Sequence, residues 1–174
     1  MNKQDIEISP LQKRDIEATI KLYRISLQDN KTGFIQDINF RENIQNMIKE
    51  LRANNGDIYS LKLDNQVVGM GALKRVDEST IEMCRLHVCP NLKGMGLGKK
   101  ISLALIEFAK EKGYKKVNLH VTKTQKEAIG LYVKLGFYEY KPSKLCKVEH
   151  KGKTLEFNTL YMERPIEEAS LSCA

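Results

Sequence analysis

No stretch of this 174-residue chain approaches the roughly 20 consecutive apolar residues that a membrane-spanning helix requires. Its opening residues, MNKQDIEISP, lack the apolar run of a secretory signal. The sequence therefore predicts a cytoplasmic protein with no membrane partner. The four cysteines, Cys84, Cys89, Cys146 and Cys173, form no CxxC pair, so neither a zinc site nor a disulfide framework is indicated. They read as reduced thiols, with Cys173 in the tail SLSCA reactive through exposure. HExxH, a Cys/His cluster and a Ser/His/Asp arrangement are all missing, which leaves metal catalysis and a triad nucleophile without support. Internal repeats, low-complexity segments and domain boundaries are missing too.

What is present is ordinary for a globular domain: 41% apolar and 29% charged residues. The length suits one domain with a real core. The formal charge of +7 suggests an anionic partner without naming it. Lysines scattered along the chain read mainly as solvated helix faces. A nucleic-acid module would interleave aromatic with basic residues, and KKVNLHVTKTQK does not.

Periodicity places the elements. IEI at 6–8 reads as a strand ended by Ser9 and Pro10. Ile16, Ile20, Tyr23 and Leu27 recur at helical spacing, and Ile44, Met47, Ile48 and Leu51 mark a second helix over 40–53. Asp64-Asn65 between two apolar runs is a hairpin signal, and STIEMCRLHV adds a third strand. Leu97, Ile101, Ala104, Leu105 and Phe108 line one face of a helix that Gly113 stops. KKVNLHVT is a strand. Thr124 and Glu127 have capping-box spacing before the helix QKEAIGLYVKLG, which Gly136 closes. FYEYKP and LEFNTLYMER are the last strands. The predicted domain covers 1–165 and a flexible tail 166–174. Antiparallel strands followed by a strand–helix–strand crossover make the fold α/β, with a mixed, mostly antiparallel central sheet flanked by helices.

Between strand and helix stand Gly94, Gly96 and Gly98, followed by Lys99 and Lys100. Glycine at alternate positions carries a high entropic cost, so the bare backbone needs a reason. A helix beginning near Gly98 directs its unpartnered first amides, with the positive end of its dipole, at the loop 93–98. That is an anion cradle of the kind that takes a phosphate, with Lys93, Lys99 and Lys100 adding charge. The spacing fits neither the P-loop nor the dinucleotide fingerprint, since Lys99 and Lys100 stand where those motifs need Gly and Ser or Thr.

The stretches EMCRLHVCPNLKGMGLGKKISLALIEF at 82–108 and QKEAIGLYVKLGFYEY at 125–140 resemble the acetyl-CoA-binding core of the GNAT superfamily of N-acetyltransferases. There a strand ending in V-x-P leads into [QR]-x-x-G-x-[GA] and a helix, and N-x-x-A-x-x-L-Y-x-x-x-G-F follows. With the first helix and the hairpin, the resemblance covers most of the chain. It departs at Lys93, where the family prefers Gln or Arg, and at Gln125, where Asn is common. The resemblance implies a V-shaped split between parallel strands 81–88 and 116–121. Acetyl-CoA would enter it as co-substrate, its pantetheine arm pairing with the backbone of Leu86, His87 and Val88. Its pyrophosphate would rest on Lys93, Gly94, Met95, Gly96, Leu97, Gly98 and Lys99. Asn118, Gln125 and Tyr132 would complete the cofactor contacts, and an amide near Val88 would polarise the acetyl carbonyl.

The implied reaction is direct attack of a primary amine on the thioester in a ternary complex. Most amines are protonated at neutral pH, so a base is needed. The resemblance makes Glu82 the candidate base, through water, and Tyr132 the acid at the thioester sulfur. Glu82 as a solvated partner of Arg85, and Tyr132 as a packed core residue, are the competing readings. His87 and His120 flank the split and are candidate relays, although strand histidines are more often simply accommodated. Arg85, Cys84 and Cys89 are assigned to structure. A non-catalytic acyl-CoA sensor is the first alternative function, and a basic nucleic-acid-binding module ranks below it. The acceptor stays open among small amines and peptide or protein amines. The resemblance places specificity in residues 28–55, where Asp29, Asp37 and Glu42 lie, and in late loops such as 141–153. A monomer and a homodimer both fit.

Overall fold

The structure, a computed structural model, describes residues 5–29, 40–150 and 152–168. Strand β1 (Ile6–Pro10) leads into helices α1 (Ile16–Asp29) and α2 (Phe40–Ala53). Strands β2 (Asp57–Leu63), β3 (Gln66–Arg75) and β4 (Thr80–Val88) then form a meander. After the 3-10 turn Pro90–Leu92 come α3 (Leu97–Glu111), β5 (Lys116–Thr122) and α4 (Lys126–Lys134). The hairpin β6 (Tyr138–His150) and β7 (Lys153–Pro165) completes a 7-stranded sheet of order β1-β2-β3-β4-β5-β7-β6. Among the described residues only β4 and β5 pair in parallel.

Each face of the sheet carries its own core. Ile101, Leu105 and Ala109 of α3 are fully buried with Tyr132 and Phe137 against Leu61, Leu73, Ile81 and Val117. On the other face Ile16, Ile20 and Tyr23 of α1 join Ile44 and Ile48 of α2 over Ile58, Met70 and Ala72. The helical stripes of the sequence thus become two apolar layers, each fully buried aliphatic side chain contributing roughly 1.5–3 kcal/mol. The β2–β3 turn is confirmed by its backbone: Asp64 and Asn65 have φ of 49° and 68°, the pair of positive values a type I′ hairpin requires.

Three local expectations are corrected. Ser9 and Pro10 do not end β1 but pair with Ser60 and Tyr59. β1 is an edge strand, where proline's missing donor costs no ladder bond. Helix α4 has Gln125, not Thr124, at its N-cap, without a side-chain cap bond. Glu127 then falls in the first turn and complements the helix dipole instead of closing a capping box. Residues 141–153 are largely not a loop: β6 and β7 pair from Tyr138↔Glu163 out to His150↔Lys153. The polar outer halves of these strands obscured the hairpin, because their side chains face solvent. After Pro165, the Ile166 amide still donates to Lys115 O at 2.8 Å; residues 169–174 of the expected tail lie outside the described residues.

The feature that makes a site is a fault in β4. Ala72 pairs with Cys84 and Met70 with His87, so Arg85 and Leu86 stand opposite Gly71 alone. Arg85 takes φ 51°. This is a β-bulge, which bends a strand and re-aims its side chains. Gly71 accommodates it: a Cβ there would meet Leu105 Cδ1 at 2.7 Å and Leu86 Cδ1 at 3.3 Å. β4 pairs with β5 only through Thr80↔Lys116, Ile81↔Val117 and Glu82↔Asn118. Beyond Glu82 the two strands part.

Candidate active site

The loop leaving β4 ends in a turn with Gly94 at φ 82° and Gly96 at φ 77°, both in the left-handed region. A Cβ at either would meet nothing within 4 Å, so the backbone there is open to a ligand. Gly96 is the N-cap of α3, without a side-chain cap, and the first helical bond runs from Lys100 N to Gly96 O. The amides of Leu97, Gly98 and Lys99 are therefore the donors a 15-residue helix leaves unpaired at its positive end. Gly98 differs from its neighbours: it is helical, and its Cβ position lies 3.5 Å from Leu131 Cδ2 of α4. Met95, Lys99 and Lys100 are exposed, whereas Leu97 is buried in the core. Lys93 is held by Asp29 of α1, Nζ to Oδ2 2.6 Å. Asp29 thus lies beside Lys93 on the lining of the cleft.

Inside the split, a cleft of about 560 Å³ is bordered by Leu86, His87, Val88, Lys93, Gln125 and Tyr132. Cys89 N donates to Val68 O at 2.8 Å, and successive strand amides point to opposite edges. The Val88 amide is accordingly directed away from β3, into the split. His87 pairs with Met70 on β3, and its ring lies against α1, Nδ1 2.7 Å from Ser26 Oγ and edge-on to Tyr23. Of the three backbone residues read as an arm-binding edge, Leu86 and Val88 suit that use and His87 does not. Burial, with Arg85 second, pushes the His87 pKa down to about 4. It is neutral at physiological pH.

Tyr132 is buried against Phe137, ring centroids 5.8 Å apart. Among the described residues its hydroxyl has no hydrogen-bond partner, and the residue borders the cleft. Burial raises its pKa to about 12. Asn118 Oδ1 is a second unsatisfied group, buried at the point where β4 and β5 part.

Glu82 does not border this cleft. It lines an adjoining cavity of about 420 Å³ with His120, Lys74 and Tyr161. Cys84, Arg85, His120, Val121 and Gln125 border both spaces, so the two are adjacent. Glu82 Oε2 lies 3.5 Å from His120 Nδ1, and the carboxylate raises the His120 pKa against an opposing effect of burial. The two residues thus form one acid–base pair. The Cys84 thiol is pushed up to about 12 by burial, then by Glu82, so it stays protonated and is a poor nucleophile. A third cavity of about 690 Å³ extends from Lys74, Cys84 and Arg85 toward α2.

Two residues escaped the sequence reading. Arg85, assigned there to structure, borders all three cavities, and Lys74 borders two. A signal was available for Arg85: core-facing apolar residues occupy odd positions at Ile81 and Met83 but even ones at Leu86 and Val88. That change of phase marks the bulge. Of the other candidates, Glu42 is exposed in the first turn of α2, and Asp37 and Cys173 lie outside the described residues.

The profile of the Acetyltransferase (GNAT) family matches residues 19–137. The chain is 38% identical over 80 residues to the uncharacterized N-acetyltransferase YjgM of Escherichia coli, covering 44% of this chain and 48% of that protein. It is 38% identical over 76 residues to N-acetylaspartate synthetase of Danio rerio, covering 43% of this chain and 27% of that one. The match thus spans less than half the length of either relative. Among solved structures, yncA of Salmonella typhimurium, determined with its cofactor acetyl-CoA, superimposes at TM-score 0.79 and 18% identity, covering 98% of this chain and 99% of that one. At that identity the likeness is one of fold.

Proposed function

The chain belongs to the GNAT family of acetyltransferases, whose co-substrate is acetyl-CoA, and on that premise we propose that it transfers the acetyl group to a primary amine by direct attack in a ternary complex. The observation that carries the reading is the parting of β4 and β5 after Glu82–Asn118, beside an open glycine turn at a helix N-terminus. The glycine turn and the Leu97–Lys99 amides suit the pyrophosphate. The free edge of β4 at Leu86 and Val88 suits the amide groups of the pantetheine arm. Asn118 Oδ1 offers an acceptor to the arm or the amine. We take residues 1–165 as the catalytic unit.

In the reaction the amine nitrogen attacks the thioester carbonyl carbon. The ammonium first gives up one proton to become the neutral nucleophile. A C–N bond then forms, the C–S bond breaks, the attacking nitrogen loses a second proton and the thiolate gains one, so one proton is released overall. The Val88 amide is the donor toward the developing oxyanion. Glu82, coupled to His120, takes the amine's proton through water. Tyr132 faces the leaving sulfur. A phenol near 12 is a weaker acid than a thiol near 8.5, so complete proton transfer is uphill by on the order of 5 kcal/mol. Tyr132 therefore acts chiefly as a hydrogen-bond donor to the departing thiolate, and solvent completes the protonation. The protonated Cys84 gives no support to an acetyl-cysteine route.

The test is a turnover screen of amines with acetyl-CoA, reading released thiol and N-acetyl product together. One amine giving both in equal amounts supports the reading. Acetyl-CoA binding without turnover on any amine contradicts it and favours a sensor.

A further inference from the structure

We infer that the acceptor is an amine that also carries a carboxylate, an amino acid or a similar amino carboxylate, and that Arg85 is the residue that holds that carboxylate. The inference rests on the transferase reading and adds the acceptor's chemical class.

Regular alternation would have placed Arg85 on the face of Ile81 and Met83, in the core beneath α3. The bulge, with Arg85 at φ 51°, turns it to the side of Glu82 and Cys84, where all three border one cavity. A non-glycine residue in that backbone region is uncommon and points to a constraint that the surroundings uphold. Its guanidinium carbon lies 6.0 Å from the Tyr23 ring centroid and 5.7 Å from that of Phe40, over two rings stacked at 4.1 Å. Nη1 donates to Tyr23 Oη at 3.2 Å. The half-buried group is thus fixed in place by aromatic faces and one hydroxyl, while among the described residues no carboxylate pairs with it.

A guanidinium has five N–H donors in a planar fork that matches a carboxylate in two parallel bonds. Here that fork is positioned before any ligand arrives. The charge around it favours an anion. Lys74, in register with Glu82, borders two of the three cavities that Arg85 borders and has no ion-pair partner among the described residues. In the cavity toward α2, Asp77 is occupied by the Ser79 and Thr80 amides, which leaves Glu50 as the other carboxylate on a lining that also carries Lys74, Arg75 and Arg85. Glu82 lies three residues from Arg85 on the same strand. A negative group for the ammonium and a positive group for the carboxylate therefore meet a zwitterion with the matching sign at each end. A polyamine or aminoglycoside would bring further ammonium groups against Arg85 and Lys74.

The experiment compares kcat/KM for a panel of amino acids with that for the same amines lacking the carboxylate, in the wild type and in Arg85→Gln and Arg85→Lys. The expected result is acetylation of at least one amino acid with a preference of about 100-fold or more over its carboxylate-free partner. Arg85→Gln raises KM for the amino acid at least tenfold and removes most of that preference, Arg85→Lys restores part of it, and acetyl-CoA affinity stays within about threefold throughout. Equal or better use of carboxylate-free amines overturns the inference, as does a preference that survives in folded Arg85→Gln. If no amine turns over although acetyl-CoA binds, the transferase reading fails separately. The anion site is then judged by calorimetry with N-acetylated amino acids on the CoA-bound protein. Binding lost in Arg85→Gln supports the site, and absent or unchanged binding overturns it.

Discussion

The two ends of the split are built from different material. The proposed cofactor end, at Gly94–Lys99, is backbone: two open left-handed glycines and the unpaired amides of α3. The proposed acceptor end is side chains: Glu82 against His120, Arg85 on its aromatic pair, Lys74 beside them. A backbone site binds what every family member shares, because amides do not change with sequence. A side-chain site can be altered residue by residue without disturbing the first. The division predicts that changes at one end leave the other end's measurement nearly untouched.

The largest effect is expected at the acceptor end. Glu82→Gln should lower kcat/KM by about 100-fold or more, most at low pH, where little free amine exists, with acetyl-CoA affinity unchanged. A mutant with the wild-type pH–rate profile removes Glu82 from the mechanism. Tyr132→Phe keeps the ring packing on Phe137 and deletes one hydrogen bond to developing charge, typically 1.5–3 kcal/mol, so turnover should fall roughly 10- to 100-fold. Normal turnover with chemistry rate-limiting would make Tyr132 a core residue only. His120 gives a smaller effect with a definite sign. Because Glu82 raises its pKa, the pair adds stability that is complete below the ordinary histidine value and is lost as pH rises through the raised one. The pair is partly exposed, 53% at His120, so it is worth at most about 1 kcal/mol. The Tm gap between wild type and His120→Gln should be a few degrees at mildly acidic pH and vanish at alkaline pH; a gap independent of pH contradicts the pairing. The smallest effect is at the cofactor end. Asp29→Ala breaks an exposed ion pair, so stability should change by under about 1 kcal/mol. Acetyl-CoA affinity should rise slightly as Lys93 is freed.

This contrast also explains what could be read from the sequence. An open backbone turn leaves a mark at fixed spacing, and of Gly94, Gly96 and Gly98 the first two use left-handed backbone. Helical stripes and the Asp64-Asn65 turn were equally local. The β6–β7 hairpin was harder, since its outer half has polar residues on solvent-facing positions and draws its register from the partner strand. Arg85, read as structural, has a setting that regular alternation does not foretell, since alternation assigns it to the core face. Only the bulge opposite Gly71 turns it outward, and a bulge shows in sequence only as the slip in phase between Met83 and Leu86. Contacts such as Glu82–His120 and Lys93–Asp29 join residues 38 and 64 positions apart, and no local pattern announces them.

The most direct test of the division is a calorimetric titration of acetyl-CoA into wild type, Gly96→Asp and Glu82→Gln side by side. Asp at 96 meets open space but brings a Cβ to φ 77° and a carboxylate to the phosphate position. Affinity should fall at least about tenfold, or 1.4 kcal/mol, in Gly96→Asp and stay at the wild-type value in Glu82→Gln. Unchanged affinity in a folded Gly96→Asp protein would contradict the cradle.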